Sequence, residues 1–357
     1  MSEDAAAVAA LAGLPYMAWD RLDRLLQTGP PLQVWEAVCR GAHGTALAHA
    51  ARRTSVADVA AAHAAAGVAI RLRGSPEYPA QLAPDHEAPA VLFTVGSLDA
   101  LERPRVAIVG TRRCTNYGRD VARELGRFLA EAGVCVLSGL ALGIDGAAHE
   151  GALAGGAAPP VAVVGSGLDV VYPRRHARLW DRVAQAGALL SEAPVGARPE
   201  PWRFPARNRV LAALADVVVV VESHPTGGSM HTVRAAEERG VAVLAVPGPI
   251  RSRASAGTNL LLSQGCHPVC DGDDVLAALS LRHATALPPP GTLRLVEART
   301  PPSDDHAAVL DAVEWTPTSL ETVATRTGAP PPRASAALAW LEREGWVRRE
   351  AGWWERC

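Results

Sequence analysis

The sequence predicts an α/β fold: an open, doubly wound, mostly parallel sheet, preceded by a small helical domain and followed by a helical domain that ends in a wing. Three observations predict it. Apolar, β-branched-rich runs at 106–109, 134–137, 161–164, 217–221 and 241–246 alternate with amphipathic stretches. A proline-rich segment around 288–302 breaks this alternation. Beyond it the pattern changes to short helices and a hairpin.

The elements follow in order. Residues 1–85 read as short helices, because apolar side chains recur at helical spacing through Trp19, Leu22, Leu25 and Leu26 and again through Val34, Trp35 and Val38. Alanine, the strongest helix former, is abundant between 46 and 66. The domain at 86–285 holds the apolar runs, which carry hydrophobic residues on both faces, as buried parallel strands do. Helices are expected between them at 117–132, 175–185 and 232–239, and alternating strands and helices give a doubly wound sheet. Residues 286–303 form a semi-rigid linker rich in proline. From 304 to 357, helices at 305–314, 319–328 and 332–345 and a hairpin at 346–356 spell a winged helix.

Composition narrows the function. At 357 residues the chain exceeds what one small core supports, and 48% hydrophobic with 20% charged residues is a globular balance. The net charge is only −2, so a nucleic-acid site has to come from local clustering. All 35 basic residues are arginine, whose planar guanidinium suits phosphate. The N-terminus lacks the basic flank of a secretory signal, and the uncharged stretch at 151–168 is broken by Gly and Pro; a soluble, cytoplasmic protein is expected, with no membrane association. Six scattered cysteines read as reduced thiols. The Cys266-His267-x-x-Cys270 spacing is not CxxC and has no second pair, so no metal is expected.

In an open parallel sheet, ligands bind beyond the carboxyl ends of the strands. The first such loop is Gly110-Thr111-Arg112-Arg113, where glycine admits close approach and two arginines stand before a helix. The second begins Ser138-Gly139 and contains Asp145, read as a helix N-cap. The third couples Gly165-Ser166-Gly167 to Tyr172-Pro173-Arg174, an aromatic beside cations. The fourth, Phe204-Pro205-Ala206-Arg207-Asn208-Arg209, reads as an aromatic and arginine surface ahead of a helix at 210–215. The fifth, Gly228-Ser229, leads into a helix as an anion-cradling turn. GxGxxG is absent after the first strand of the alternating pattern, so no dinucleotide cofactor is expected. No nucleophile, base and orienting partner stand at triad spacing, which points to binding and not to an enzyme.

The ordered motifs GTRRCTNYG, SGLALGIDGAAH, GSGLDVVYP, SEAPVGARPEPWRFPARNRV, GGSMHT and AVPGPI resemble the DprA (DNA processing protein A, also called Smf) family over about 103–279. The resemblance implies an extended Rossmann-like domain that binds and protects single-stranded DNA and helps load RecA recombinase in natural transformation. By motif, Arg112, Arg174, Arg207, Asn208 and Arg209 would contact phosphates and bases. Gly110, Thr111, Ser138, Gly139, Gly165, Gly167, Gly228 and Ser229 would shape the pocket. It also implies a homodimer through the end of this domain, near 259–269, a SAM-like N-terminal module and a winged-helix appendage. His231 departs from the pattern in the fifth loop and receives no role.

Two other readings stand beside this one. A phosphoribohydrolase-like enzyme would need a Pro-Gly-Gly-x-Gly-Thr-x-x-Glu signature, but 225–232 lacks its Gly-Thr pair. A winged-helix transcription regulator would read duplex DNA with the helix at 332–345, whose presented residues are mostly Ala and Ser.

Overall fold

The computed structural model describes residues 2–283, 302–350 and 352–356. The chain divides into two compact units, 1–287 and 288–357. Apart from Pro302 and Ser303, the proline-rich linker expected at 286–303 lies outside the described residues.

The first unit opens with α1 (Glu3–Ala12), α2 (Trp19–Leu26), α3 (Pro31–Arg40), α4 (Thr45–Arg52) and α5 (Val56–Ala65). The sheet begins at β1 (Ala69–Leu72), within the stretch expected to be helical, and continues with β2 (Val91–Gly96) and β3 (Arg105–Val109). Then come α6 (Asn116–Glu131), β4 (Cys135–Ser138), α7 (Ile144–Gly155), β5 (Val161–Val164), α8 (Ala177–Ala186) and β6 (Ala188–Ser191). The unit closes with α9 (Arg203–Leu214), β7 (Val217–Val220), α10 (Ser229–Glu237), β8 (Ala242–Ala245), α11 (Ala256–Ser263), β9 (His267–Pro268) and α12 (Gly272–His283).

The strand order is β1-β2-β6-β5-β4-β3-β7-β8-β9, parallel from β6 to β9, with β2 antiparallel to both its neighbours. From β3 the chain winds outward through β4, β5 and β6, then returns to place β7 on β3's other side. Connections from β3 and β7 therefore diverge, and a crevice opens at their carboxyl ends. The valine run shows why these strands are apolar throughout. Val217 and Val219 pack with Leu125, Leu129, Ile144 and Val275 on one face, while Val218 and Val220 pack with Val210, Leu211 and Val233 on the other.

The helical segment shares a core with the far end of the sheet: Leu11, Val34 and Val38 pack in one cluster with Phe93, Trp180 and Leu189. The four strands that sequence reasoning omitted, β1, β2, β6 and β9, are short and lie at the flanks of the sheet. Their two to six residues give little periodicity to read. The segment Trp202–Arg209 is not a loop as expected. Arg203 starts α9, which runs continuously through the predicted apolar helix to Leu214.

The second unit comprises α13 (Asp304–Ala312), α14 (Leu320–Thr327), α15 (Pro331–Arg343) and the hairpin β10 (Val347–Glu350) with β11 (Trp353–Arg356). Ser319 caps α14 by accepting from the Thr322 amide at 3.1 Å, and Pro330 and Pro331 start α15. Val309, Leu310, Val323, Leu338, Leu341 and Trp354 form its core. This is the winged-helix arrangement. Among the described residues no helix is long and apolar enough to cross a membrane.

Candidate nucleic-acid interface

A cleft of about 460 Å³ opens where β3 and β7 end. Gly110 to Arg113, following β3, form one wall, and Gly227 to Thr232, around the start of α10, form another. Phe204, Arg207, Asn208 and Leu211 of α9 close the third side. A smaller hollow of about 60 Å³ shares Arg112, Phe204 and Arg207 with it and adds Gly139, Gly165 and Tyr172.

The first wall is fixed from beneath by Glu222, which is 1% exposed. Its carboxylate accepts from the Thr115 amide at 2.8 Å and the Thr115 hydroxyl at 2.6 Å, and its backbone carbonyl accepts from the Thr111 amide at 2.7 Å. Gly110 is required here, because a Cβ would meet Ile144 and the Glu222 carbonyl. With this loop pinned, Arg112 and Arg113 stand exposed at the mouth. The Arg112 guanidinium lies 4.8 Å from the centre of the Phe204 ring, and the Tyr172 ring is 5.5 Å from Phe204.

Arg207 forms the floor and is buried. It donates to the carbonyls of Gly139, at 2.9 Å, and Val163, and to Asn208 Oδ1 at 3.0 Å. Burial pulls its guanidinium below the usual value, against the favourable charge of Asp145. Burial likewise pushes the Asp145 carboxyl up, opposed by Arg207. Asp145 is not the expected N-cap. Gly143 holds that position, and Asp145 sits inside the first turn of α7, accepting from the Gly139 amide at 3.1 Å. On the α10 side, Ser229 Oγ is 2.7 Å from Ser223 Oγ, and Asn208 Nδ2 donates to the Gly228 carbonyl at 3.2 Å. The amino end of α10, which favours anions, thus borders the same cleft as the arginines.

The structure brings together Gly110, Thr111, Arg112, Arg113, Phe204, Arg207, Asn208, Gly228 and Ser229 around the cleft, with Gly139, Gly165 and Tyr172 around the adjoining hollow. Other expected residues lie elsewhere. Ser138 is fully buried and donates to the Ile108 carbonyl at 2.6 Å. The Gly167 amide donates to Ala197, bracing a neighbouring turn. Arg174 is exposed in a 3-10 turn beyond Tyr172. Arg209 is buried and turned away, donating to the Glu87 carbonyl and Glu192 with its guanidinium 4.2 Å from the Trp19 ring. The expectation of an exposed arginine surface on this segment therefore fails for Arg207 and Arg209. Both lie on helix α9 and turn inward to partners outside it, the Gly139 and Val163 carbonyls for Arg207 and the Glu87 carbonyl and Glu192 carboxylate for Arg209.

Sequence reasoning missed Glu222 and the anchoring role of Asp145. The signal for Glu222 was present, since a carboxylate follows five consecutive valines and so ends a buried strand. Among the described residues no cluster of His, Cys, Asp and Glu is arranged to hold a metal.

Comparison with known proteins supplies the family. A family model described as DNA recombination-mediator protein A matches residues 69–280, and one described as DprA winged helix domain matches 294–352. Protein Smf of Escherichia coli is 37% identical over 285 residues, covering 78% of this chain and 75% of that protein. The putative DNA processing protein DprA of Mycobacterium tuberculosis is 44% identical over 199 residues, covering 55% of this chain and about half, 51%, of that protein. A solved structure of DprA from Streptococcus pneumoniae is similar with a TM-score of 0.67 at 31% identity, over 78% of this chain and 98% of that one. DNA processing protein A from Helicobacter pylori, whose structure is described for its single-stranded DNA binding mode, gives a TM-score of 0.54 at 31% identity, over 59% and 95%. With its sheet, its switch-point cleft and its winged helix all matched, the chain belongs to the DprA (Smf) family of DNA recombination-mediator proteins.

Proposed function

We propose that this protein binds single-stranded DNA in the cleft between the β3 and β7 loops, shields it, and helps load RecA recombinase on it in natural transformation or repair. The observation that carries the reading is the stack at the mouth: Arg112 over Phe204, with Tyr172 alongside, next to the amino end of α10. Aromatic faces accept unstacked bases of any sequence, while the exposed Arg112 and Arg113 and the helix end attract phosphates. A duplex presents no free base faces. Membership of the DprA family and likeness to the Helicobacter pylori protein support the same reading. Self-association is assigned to the 259–269 region, where Leu260 of α11 is 41% exposed.

The test titrates fluorescent oligo-dT and a matched duplex with wild type and an Arg112→Ala, Phe204→Ala double variant at two salt concentrations. Wild type should prefer the single strand, with affinity falling steeply as salt rises. The variant should lose most of that affinity. Equal binding by both proteins, or binding to the duplex alone, sinks the assignment. Adding RecA to strands coated with a competing binding protein then checks loading, which wild type should accelerate.

A further inference from the structure

The turn that follows β8, Pro249 to Ala254, is joined to the rim of the cleft but forms no part of its lining. Tyr117, at the start of α6, donates its hydroxyl to the Pro247 carbonyl at 3.1 Å. Asn259 clamps Gly248 from both sides, accepting from its amide at 3.2 Å and donating to its carbonyl at 3.0 Å. The Gly257 amide donates to the Ser223 carbonyl at 2.7 Å, tying the far end of the turn to the loop after β7. Within the turn the Ser252 amide donates to the Pro249 carbonyl at 2.9 Å. The backbone is therefore held at several points.

What this held turn presents is unusual for a solvent-facing loop. Ile250 is 91% exposed, and the exposed Arg251 and Arg253 follow it in the same turn. Among the described residues neither guanidinium is ion-paired, whereas Arg105, Arg209 and Arg239 of the same unit all meet carboxylates. An exposed aliphatic side chain next to two cations without an ion pair suits a partner that combines apolar faces with negative charge. A single nucleic-acid strand does so. Position agrees: β3, β7 and β8 are parallel neighbours, so their following loops succeed one another along one edge, at about 5 Å per strand. The turn thus lies about 10 Å beyond the Arg112 loop, within a few nucleotides' reach.

We propose that Ile250, Arg251 and Arg253 form a second contact for the strand, so that bound DNA continues from the cleft across the end of β7 to the end of β8. The proposal rests on the single-strand reading of the cleft. Arg251 and Arg253 meet phosphates and Ile250 packs against a base.

The experiment compares wild type with an Arg251→Ala, Arg253→Ala variant on oligo-dT of roughly 6 and roughly 30 nucleotides. On the long strand the variant should bind about tenfold more weakly, and the slope of log affinity against log salt should fall by about 1.4, near 0.7 for each phosphate contact. On the short strand, which can occupy the cleft without reaching the turn in many of its registers, the difference between the two proteins should be smaller. An Arg251→Lys, Arg253→Lys variant should restore most of the salt slope, because each ammonium still neutralises a phosphate. Long-strand affinity and slope equal to wild type overturn the proposal. So does a change in sedimentation of the protein with strand binding intact, which makes the turn a protein contact. Failure of wild type to bind either strand is a different result, since it removes the reading of the cleft itself.

Discussion

Gly139 gives its carbonyl to Arg207 at 2.9 Å, and the space beside its Cα is occupied by the same guanidinium. Its amide is held at the same time by Asp145. One residue with no side chain thus fixes both members of a buried, oppositely charged couple that forms the cleft floor. A methyl group here has nowhere to go except into Arg207.

Gly139→Ala should therefore destabilise the protein by about 1–3 kcal/mol, the usual cost of overpacking a full interior. It should also weaken oligo-dT binding by about tenfold, through displacement of Arg207. The two effects separate in a double-mutant cycle. Once Arg207→Ala has removed the guanidinium, adding Gly139→Ala should lower binding little further. Additive losses would show that Gly139 acts by another route.

Phe204 and Arg112 touch each other but should fail in different ways. Phe204→Ala removes a stacking face worth about 1–3 kcal/mol per base and leaves the charge in place. Affinity should drop at least several-fold with the salt slope unchanged. Arg112→Ala should lower the slope by about 0.7, the mark of one lost phosphate contact on a single strand. Identical slopes for the two variants would assign Arg112 to packing on the ring alone.

How far the sequence carried this site depends on which force set each residue. The β3, β4, β5, β7 and β8 runs are legible because burial on both faces leaves a continuous apolar signature. The flanking strands are not, since β2 pairs antiparallel at a distance in sequence and β9 has two residues. Arg112 and Phe204 were legible as types suited to a strand, and they meet at the cleft. Arg209 has the same type in the same motif, yet Glu192, the Glu87 carbonyl and Trp19 turn it inward. Those partners come from three distant segments, and no local pattern announces them.

The inward turn of Arg209 gives the N-terminal helices a measurable role. Trp19, the first residue of α2, lies against the guanidinium of Arg209 on α9. A cation–π contact of this kind contributes ~0.5–2 kcal/mol. Trp19→Ala should lower the melting temperature, and Trp19→Phe should recover part of it because a ring face remains. Neither should change the salt slope of strand binding, as Trp19 lines no part of the strand cleft. A changed slope would place α2 within the DNA path.

Two groups, one fully buried and one partly buried, should give stability opposite dependences on pH. His149 is fully buried, and burial lowers its pKa from 6.5 to about 3. Between those values the unfolded chain takes up a proton that the folded chain refuses. This contribution is complete above 6.5 and is lost as pH falls towards 3. Glu192 runs the other way. Burial pushes it from 4.5 up to about 7, despite the pull of Arg209, so between those values the folded chain keeps a proton that the unfolded chain has released. Its contribution is complete below 4.5 and is lost as pH rises through 7. The windows overlap from 4.5 to 6.5, where the slopes oppose and largely cancel. In that interval His149→Gln should expose falling stability with rising pH, and Glu192→Gln should expose rising stability, each relative to wild type. Chemical denaturation of the three proteins at several pH values measures this directly. The same slope in all three would mean that both groups keep ordinary proton affinities in the folded chain, through water admitted to the buried sites.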